Sequence, residues 1–314
     1  MEQRTENSST TPPIGLALGG GVARGWSHIG VLQRLDELGI KPQIVCGTSV
    51  GALVSGFWLA GELDELERWA RSLTKRRMLS YVDIVFNGAG LMGGRRLEKA
   101  IEKYLPPVQI EDLPVKFAAV TSELATGHEI WLTEGDLRNA LQASYALPGV
   151  FPPRAVNNRW LIDGALVNPL PVSVCRAMGA RVVIAVGLHA DSFAQNALHR
   201  LEKFSLTAEE MTEDDDDKLA PLSVTKKLIL NRFLSHSDTS PGVGSVVLAS
   251  FNILMDRITR SRLAGDPADV LLQPATGNFG LLDFDRADEL ITIGRDTVDA
   301  HIPEIERAMQ MLGT

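Results

Sequence analysis

Cysteines, long apolar runs and net positive charge are all scarce in this sequence of 314 residues. The two cysteines, Cys46 and Cys175, are too few for a disulfide framework and lack the spacing of a metal site. No apolar run approaches the ~18–20 residues that a transmembrane helix needs. Acidic residues outnumber basic ones by 39 to 31, and this net charge of −8 argues against a nucleic-acid partner.

The first 13 residues are polar and rich in serine, threonine and proline. They lack the apolar segment of a signal peptide, so we expect a disordered tail on a cytoplasmic protein. The remaining residues, 14–314, form one predicted domain. The chain is 45% hydrophobic, which is enough to build a sizeable core.

Short apolar runs alternate with helical periodicity along this domain. Such alternation predicts an α/β fold with a mostly parallel sheet. The run RVVIAVG at 181–187 is apolar almost throughout, which is typical of a strand buried on both faces. The predicted strands are 14–18, 43–46, 115–121, 129–132 and 181–187, and the predicted helices are 27–38, 52–60, 64–73, 95–104 and 136–145.

The segment at about 192–265 departs from this rhythm. An acidic run at 209–217 lies between two basic amphipathic stretches, 226–234 and 246–262, and Val247, Phe251, Leu254 and Ile258 would share one helical face of the second. One interpretation is a pair of helices that pack on the sheet and are joined by a solvated acidic loop. The other is a variable flap that meets a membrane surface.

Ser49 lies between Gly47 and Gly51 in the sequence GTSVG, after a predicted strand and before a predicted helix. This context fits the nucleophile elbow G-x-S-x-G, in which a strained turn exposes the serine hydroxyl. A helix that starts at Val50 would direct backbone N–H groups at an anion formed there. The alternative is an ordinary strand–helix turn with a serine N-cap.

A glycine loop, GGGVARG at 19–25, follows the first predicted strand. A dinucleotide fingerprint fails because Arg24 stands where the third glycine is needed. A phosphate-binding P-loop fits Gly20 and Gly25, but Trp26 takes the place of its lysine. An oxyanion beside Ser49 is the remaining anion that such a loop would bind.

Asp163 is the predicted base, at the end of the apolar run in WLIDGA. Taken alone, Asp163-Gly164 is also typical of a hairpin turn. None of the six histidines stands in a catalytic signature, and His28, the one near the glycine loop, is expected to be packed or at the surface. Asp163 is therefore the candidate that remains.

The sequences GGGVARG, GTSVG and DGA, in that order, resemble the patatin-like phospholipase family. The resemblance extends to 121–127, 143–153 and 282–287, so it covers about residues 14–190 and 266–300 and leaves the flap region unmatched. Ala165 is its one departure, because many members carry a second glycine there.

The resemblance implies a three-layer α/β/α fold with a mostly parallel central sheet. It also implies a carboxylic ester hydrolase that needs no metal or other cofactor and cleaves acyl esters of phospholipids or lysophospholipids. Peripheral membrane contact is expected from the flap interpretation of residues 192–265. The alternatives are a non-catalytic regulatory or scaffold protein that keeps this fold and a nucleotide-binding module that uses the glycine loop. The implied residues are Ser49 as nucleophile, Asp163 as base, Gly19, Gly20, Gly21 and Val50 as the oxyanion hole, Arg24 to hold that loop or a lipid phosphate, and Gly47, Gly51 and Gly164 as motif glycines.

Overall fold

The computed structural model describes residues 13–74, 77, 95–189 and 243–310. Within them a mixed sheet is covered by helices on both sides, as the α/β prediction requires. The strands of this sheet are β1 Ile14–Leu18, β2 Ile44–Thr48, β3 Lys116–Glu123, β4 Glu129–Leu132, β5 Arg154–Val156, β6 Arg159–Asp163, β7 Val182–Val186 and β8 Val270–Leu272.

The helices bury their apolar stripes against the two faces of this sheet. The helices predicted between residues 27 and 145 are found within a few residues of their predicted bounds. Strands β5, β6 and β8 were not predicted, and β5 and β8 have only three residues each, too few to show a period. The described helices are α1 Ser27–Glu37, α2 Val50–Leu59, α3 Leu63–Arg71, α4 Arg95–Tyr104, α5 Leu137–Ser144, α6 Val172–Ala177, α7 Val243–Gly265 and α8 Ala287–Gln310.

The sheet is parallel in one part and antiparallel in the other. Its order is β5-β6-β3-β2-β1-β7-β8, with β4 paired to β3 off this path. The pairings of β3-β2-β1-β7-β8 are parallel, and those of β4, β5 and β6 are antiparallel. The carboxyl ends of β1, β2, β3 and β7 therefore meet at one edge of the sheet. We call it the catalytic edge because the predicted nucleophile and the predicted oxyanion loop follow two of these strand ends.

Strand β1 shows how the two faces are filled. Leu16 and Leu18 are buried in one apolar cluster with residues of α1, α2 and α8, whereas Ala17 between them is buried in a second cluster with Val174 of α6. Successive side chains of a strand point to opposite faces. A strand covered on both faces therefore reads as a continuous apolar run, and three layers result.

The segment that the sequence set apart is described only in part. Its acidic run and first basic stretch lie outside the described residues, as do residues 1–12 of the predicted tail. The second basic stretch lies in α7, but its predicted apolar face divides: Val247 and Leu254 are exposed, whereas Phe251 and Ile258 are half-buried. Among the helices that are described, none is both long and apolar enough to cross a membrane.

Candidate active site

Strand β3 brings the ends of β2 and β6 together. Thr48 of β2 pairs with Val120 in parallel register, and Asp163 of β6 pairs with Thr121 in antiparallel register. Strand β4 also pairs with Val120 and Thr121, so it occupies the other edge of β3. Because each edge of a strand pairs with one strand at a time, β2 and β6 share the same edge and meet head to head. This topology places residue 49 beside residue 163.

Ser49 has the backbone of a strained turn. Its φ is +57° and its ψ is −123°, a conformation that costs a non-glycine residue about 1–3 kcal/mol. The close approach of α2 holds it in place. A Cβ on Gly47 would lie 2.4 Å from the Ala52 Cα, and a Cβ on Gly51 would lie 2.2 Å from the Leu18 carbonyl oxygen. Both glycines are therefore needed for packing.

Ser144, at the end of α5, holds the backbone of the same turn. Its Oγ accepts a hydrogen bond from the Ser49 N–H at 2.9 Å and donates one to the Val120 carbonyl at 2.7 Å. Sequence reasoning gave Ser144 no role, because a serine at the end of a helix carries no local signal of such a contact.

The Ser49 hydroxyl donates a hydrogen bond to Oδ2 of Asp163 at 2.7 Å. The other carboxylate oxygen, Oδ1, accepts the Ala165 N–H at 2.8 Å. Gly164 starts a 3₁₀ turn, so the Asp-Gly pair does not form a hairpin turn. A Cβ on Gly164 would lie 2.3 Å from the Val120 carbonyl oxygen, so a side chain there would push the turn away from β3.

Burial sets the electrostatics of this pair. Asp163 is only 2% exposed and Ser49 7%. Burial raises the pKa of Asp163 from its ordinary value to about 7, although the hydrogen bonds from Ser49 and Ala165 favour the carboxylate and oppose this rise. A carboxylate with a pKa near neutrality is a far better proton acceptor than a solvated aspartate.

The glycine loop lies against Ser49, since a Cβ on Gly20 would be 3.4 Å from the Ser49 Cβ. Two of its amides are already engaged: the Gly19 N–H donates to the Val186 carbonyl at 3.0 Å and the Gly20 N–H to the Pro169 carbonyl at 2.9 Å. Of the four residues predicted to form the oxyanion hole, this leaves Gly21 and Val50, whose N–H groups have no acceptor within the described ranges. The hydrogen bonds of Gly19 and Gly20 fix the path of the loop.

Arg24 is buried, and the structure ties it to two distant segments. Its Nε donates to the Phe279 carbonyl at 3.0 Å, and its Nη1 donates to Oδ1 of Asn252 in α7 at 3.3 Å. These contacts favour the interpretation in which Arg24 anchors the loop over the one in which it holds a lipid phosphate. Sequence reasoning missed Asn252 and Phe279 because both lie more than 200 positions away along the chain.

Two histidines are buried near the loop. His28 Nε2 lies 2.8 Å from the Gly19 carbonyl oxygen, and burial lowers the pKa of His28 to about 4. Burial, and then the charge of Arg24, lower the pKa of His189 to about 4 as well. No hydrogen bond joins either ring to Ser49 in the part of the chain that is described. Asp163 is the titratable group in contact with the Ser49 hydroxyl.

The cysteines are packing residues. Both thiols are free and buried, and burial raises the pKa of the Cys46 thiol. Across residues 13–74, 95–189 and 243–310, no cluster of three or more histidine, cysteine, aspartate or glutamate side chains is placed to bind a metal ion.

Known proteins match this chain along the same residues. The family model Patatin-like phospholipase matches residues 16–176. An uncharacterized NTE family protein of Mycobacterium tuberculosis is 33% identical over 325 residues, which cover 91% of this chain and 90% of that protein. Neuropathy target esterase sws of Drosophila melanogaster is 34% identical over 181 residues, 55% of this chain and 13% of its own. The chain belongs to the patatin-like phospholipase family.

Proposed function

We propose that the protein is a serine acyl hydrolase that cleaves acyl esters of phospholipids or lysophospholipids. Family membership supports lipid hydrolase activity in general. The observation that carries the finer proposal is the 2.7 Å hydrogen bond from the Ser49 hydroxyl to Asp163. It joins a hydroxyl on a strained turn to a buried carboxylate whose pKa is about 7.

In the first step Ser49 Oγ attacks the acyl carbonyl carbon while its proton passes to Oδ2 of Asp163. The contact already has the length of a hydrogen bond to a carboxylate, so the proton moves without rearrangement of either side chain. The carbonyl oxygen becomes an oxyanion as the tetrahedral intermediate forms. Asp163 then returns the proton to the departing alcohol oxygen, and the acyl group remains on Ser49.

The oxyanion is held by the N–H groups of Gly21 and Val50. Val50 is the first residue of α2, so its N–H carries the positive end of the helix dipole. Gly21 lies in the loop after β1 and follows Gly20, on which a Cβ would be 3.4 Å from the Ser49 Cβ. Preorganised donors of this kind are typically worth about 10²–10³-fold in turnover each.

In the second step a water molecule attacks the acyl-enzyme. Asp163, again a carboxylate, accepts the proton of the water, and the same two donors hold the second oxyanion. When the intermediate collapses, Asp163 returns that proton to Ser49 Oγ and the fatty acid leaves. The same two side chains serve both half-reactions.

The nucleotide-binding alternative is not favoured. The N–H groups of Gly19 and Gly20 already donate hydrogen bonds to backbone carbonyls, so they are not free to bind a phosphate. Trp26, which stands at the lysine position of a P-loop, is buried with its ring 5.9 Å from that of Trp69 and 6.0 Å from that of Phe284. It is a core residue.

Labelling with a fluorophosphonate tests the proposal against the scaffold alternative. The wild-type protein should be labelled on Ser49 and should hydrolyse a short soluble ester, and Ser49→Ala should lose both. Ser55→Ala is the matched control, because Ser55 is a buried serine of α2 whose Oγ donates to the Gly51 and Ala52 carbonyls of its own helix. Undiminished labelling of Ser49→Ala, or an unlabelled wild-type protein, would contradict the assignment.

A lipid panel tests the substrate class. We expect release of fatty acid from phosphatidylcholine or lysophosphatidylcholine by the wild-type protein and none by Ser49→Ala. Hydrolysis of the soluble ester without hydrolysis of either lipid would keep the acyl-hydrolase proposal and remove the phospholipid one.

A further inference from the structure

Exposed apolar side chains are concentrated on a few elements of this protein. Within the described residues, every large hydrophobic side chain that is exposed lies on α7 or on the antiparallel part of the sheet around β3, β4 and β6. Single exposed apolar residues are normal on any protein surface, but clustering of this kind marks an interaction site. The residues are Leu124, Trp131, Trp160, Val246, Val247, Ile253 and Leu254.

The first patch, Leu124 and Trp160, projects beyond the catalytic edge. Strand β2 ends level with Val120, but β3 continues to Glu123. Leu124 follows, and the register of β6 places it opposite Trp160, with its N–H donating to the Trp160 carbonyl at 2.8 Å. Residues opposite each other on paired strands point to the same face. The two side chains, 54% and 59% exposed, thus form one apolar tip roughly 13 Å beyond the end of β2.

The second patch is the outer face of α7. The inner face of this helix is bound to the catalytic edge: Asn252 contacts Arg24 of the glycine loop, and Arg262 Nε donates to the Val167 carbonyl, four residues after Asp163, at 2.7 Å. The outer face carries a helically spaced stripe of exposed apolar side chains. The stripe consists of Val246, Val247, Ile253 and Leu254, each between 39% and 50% exposed, followed by Arg257.

The charges on α7 are divided between its two faces. Asp256 is buried on the inner face, where Arg260 at i+4 pairs with it at 3.0 Å, and Arg262 pairs with Glu129. Arg257 is exposed on the outer face, beside the apolar stripe. That face therefore offers apolar side chains and an arginine to whatever approaches the catalytic edge.

We propose that these two patches are the surface by which the protein docks on an anionic phospholipid bilayer. Apolar side chains beside an arginine match the acyl boundary and the phosphates of such a bilayer, and tryptophan is favoured at the interface between them. Both patches border the catalytic edge, so docking through them would bring this edge to the bilayer. The proposal rests on the proposed function for its choice of a lipid surface, but binding is measured without turnover.

The test uses full-length Ser49→Ala protein, which leaves the vesicles intact. Vesicles of phosphatidylcholine and phosphatidylglycerol in equal amounts should bind it and shift its tryptophan emission to shorter wavelength. Ile253→Ser/Leu254→Ser should weaken binding about 10-fold or more, because the variant has lost two apolar side chains that the wild-type protein would bury in the bilayer. Trp160→Phe should remove most of the emission shift. Trp58→Phe is its matched control, because Trp58 lies at the far end of α2 from Ser49, bonded to Asp36, and should leave the shift in place.

The charge contribution is measured separately. Arg257→Gln should weaken binding to the mixed vesicles about fivefold, as expected for one basic residue at an anionic surface. On vesicles of phosphatidylcholine alone the same substitution should change nothing. An equal loss on both vesicles would overturn the assignment of Arg257 to lipid phosphate.

Three results would overturn the proposal. The first is that the protein does not bind the vesicles, and the second is that the Ile253→Ser/Leu254→Ser variant binds them as well as its parent. The third is that the protein forms a dimer in solution and this double variant is monomeric, which would make the surface a dimer interface. Failure of the proposed function looks different. If the wild-type protein bound vesicles but was not labelled by a fluorophosphonate, the docking surface would stand and the acyl-hydrolase proposal would be contradicted.

Discussion

The glycine loop after β1 and the elbow after β2 lie side by side at the catalytic edge, but their backbones are held by different means. In the elbow, strain at Ser49 is held by close packing, since Gly47 and Gly51 let α2 press against β2 and the end of β1. In the loop, hydrogen bonds hold the chain. Gly19 and Gly20 donate to backbone carbonyls, and Arg24 anchors the far end.

This difference shows that glycines at the same edge of the sheet have different roles: those of the elbow allow close packing, and those of the loop donate hydrogen bonds. A side chain on Gly51 would overlap backbone atoms that cannot move aside. A side chain on Gly20 would make ordinary contacts, at 3.4 Å from both the Ser49 and the Ala165 Cβ. Alanine substitutions should therefore separate the two turns.

The largest expected effect is loss of the fold at the elbow. Gly51→Ala places a Cβ 2.2 Å from the Leu18 carbonyl oxygen, so α2 must move away from β1. We expect the free energy of unfolding to fall by about 3 kcal/mol or more. Gly20→Ala, its control in the loop, should change that free energy by less than about 1 kcal/mol. Chemical denaturation of both variants measures this, and equal losses would mean that the two turns are held alike.

The next effect separates catalysis from stability in the loop. Gly21→Ala brings a Cβ to 2.6 Å from Leu188 Cδ1, which displaces the loop amide from Ser49. Turnover of a soluble ester should fall about 10²–10³-fold, with a smaller change in KM, as for loss of an oxyanion donor. Adding Leu188→Ala removes the closest overlap and should recover part of the loss. A change confined to KM would mean that the loop only binds substrate.

The next effect concerns the free energy of unfolding, which the burial of Asp163 makes dependent on pH. Burial raises its pKa from 3.8 to about 7, so the folded protein retains a proton that the unfolded chain releases between those values. The free energy of unfolding therefore falls as pH rises through this window and is constant above it. Asp163→Asn has no such loss and should gain roughly 2–4 kcal/mol relative to the wild type between about pH 4 and pH 8. Denaturation at both pH values measures this gain, and a pH-independent difference would contradict it.

Local patterns were enough to predict much of the fold and the pair at its centre. Strand β1, helix α2 and the positions of Ser49 and Asp163 follow from apolar runs, turn glycines and family motifs. Each of these signals is contained within a short stretch of the sequence. They also predicted that the glycine loop lies beside the nucleophile, which the distance from Gly20 to Ser49 supports.

Contacts between distant segments could not be predicted in this way. Which loop amides are free depends on the carbonyls of Val186 and Pro169, and the turn at Ser49 depends on Ser144. The two exposed apolar patches arise because β3 extends beyond the end of β2 and because only one side of α7 is buried. None of these relations leaves a period or a spacing in the sequence.

The most direct test of the Ser49–Asp163 pair is the pH dependence of kcat/KM on a short soluble ester. Asp163 accepts a proton only as a carboxylate, so kcat/KM should rise about tenfold per pH unit below about pH 7 and level off above it. The buried histidines, with pKa values of about 4, titrate outside this range, and Asp163→Asn should lose about 10²–10⁴-fold in activity. A profile that is flat through neutral pH, or one whose rise near pH 7 persists in the residual activity of Asp163→Asn, would contradict Asp163 as the base.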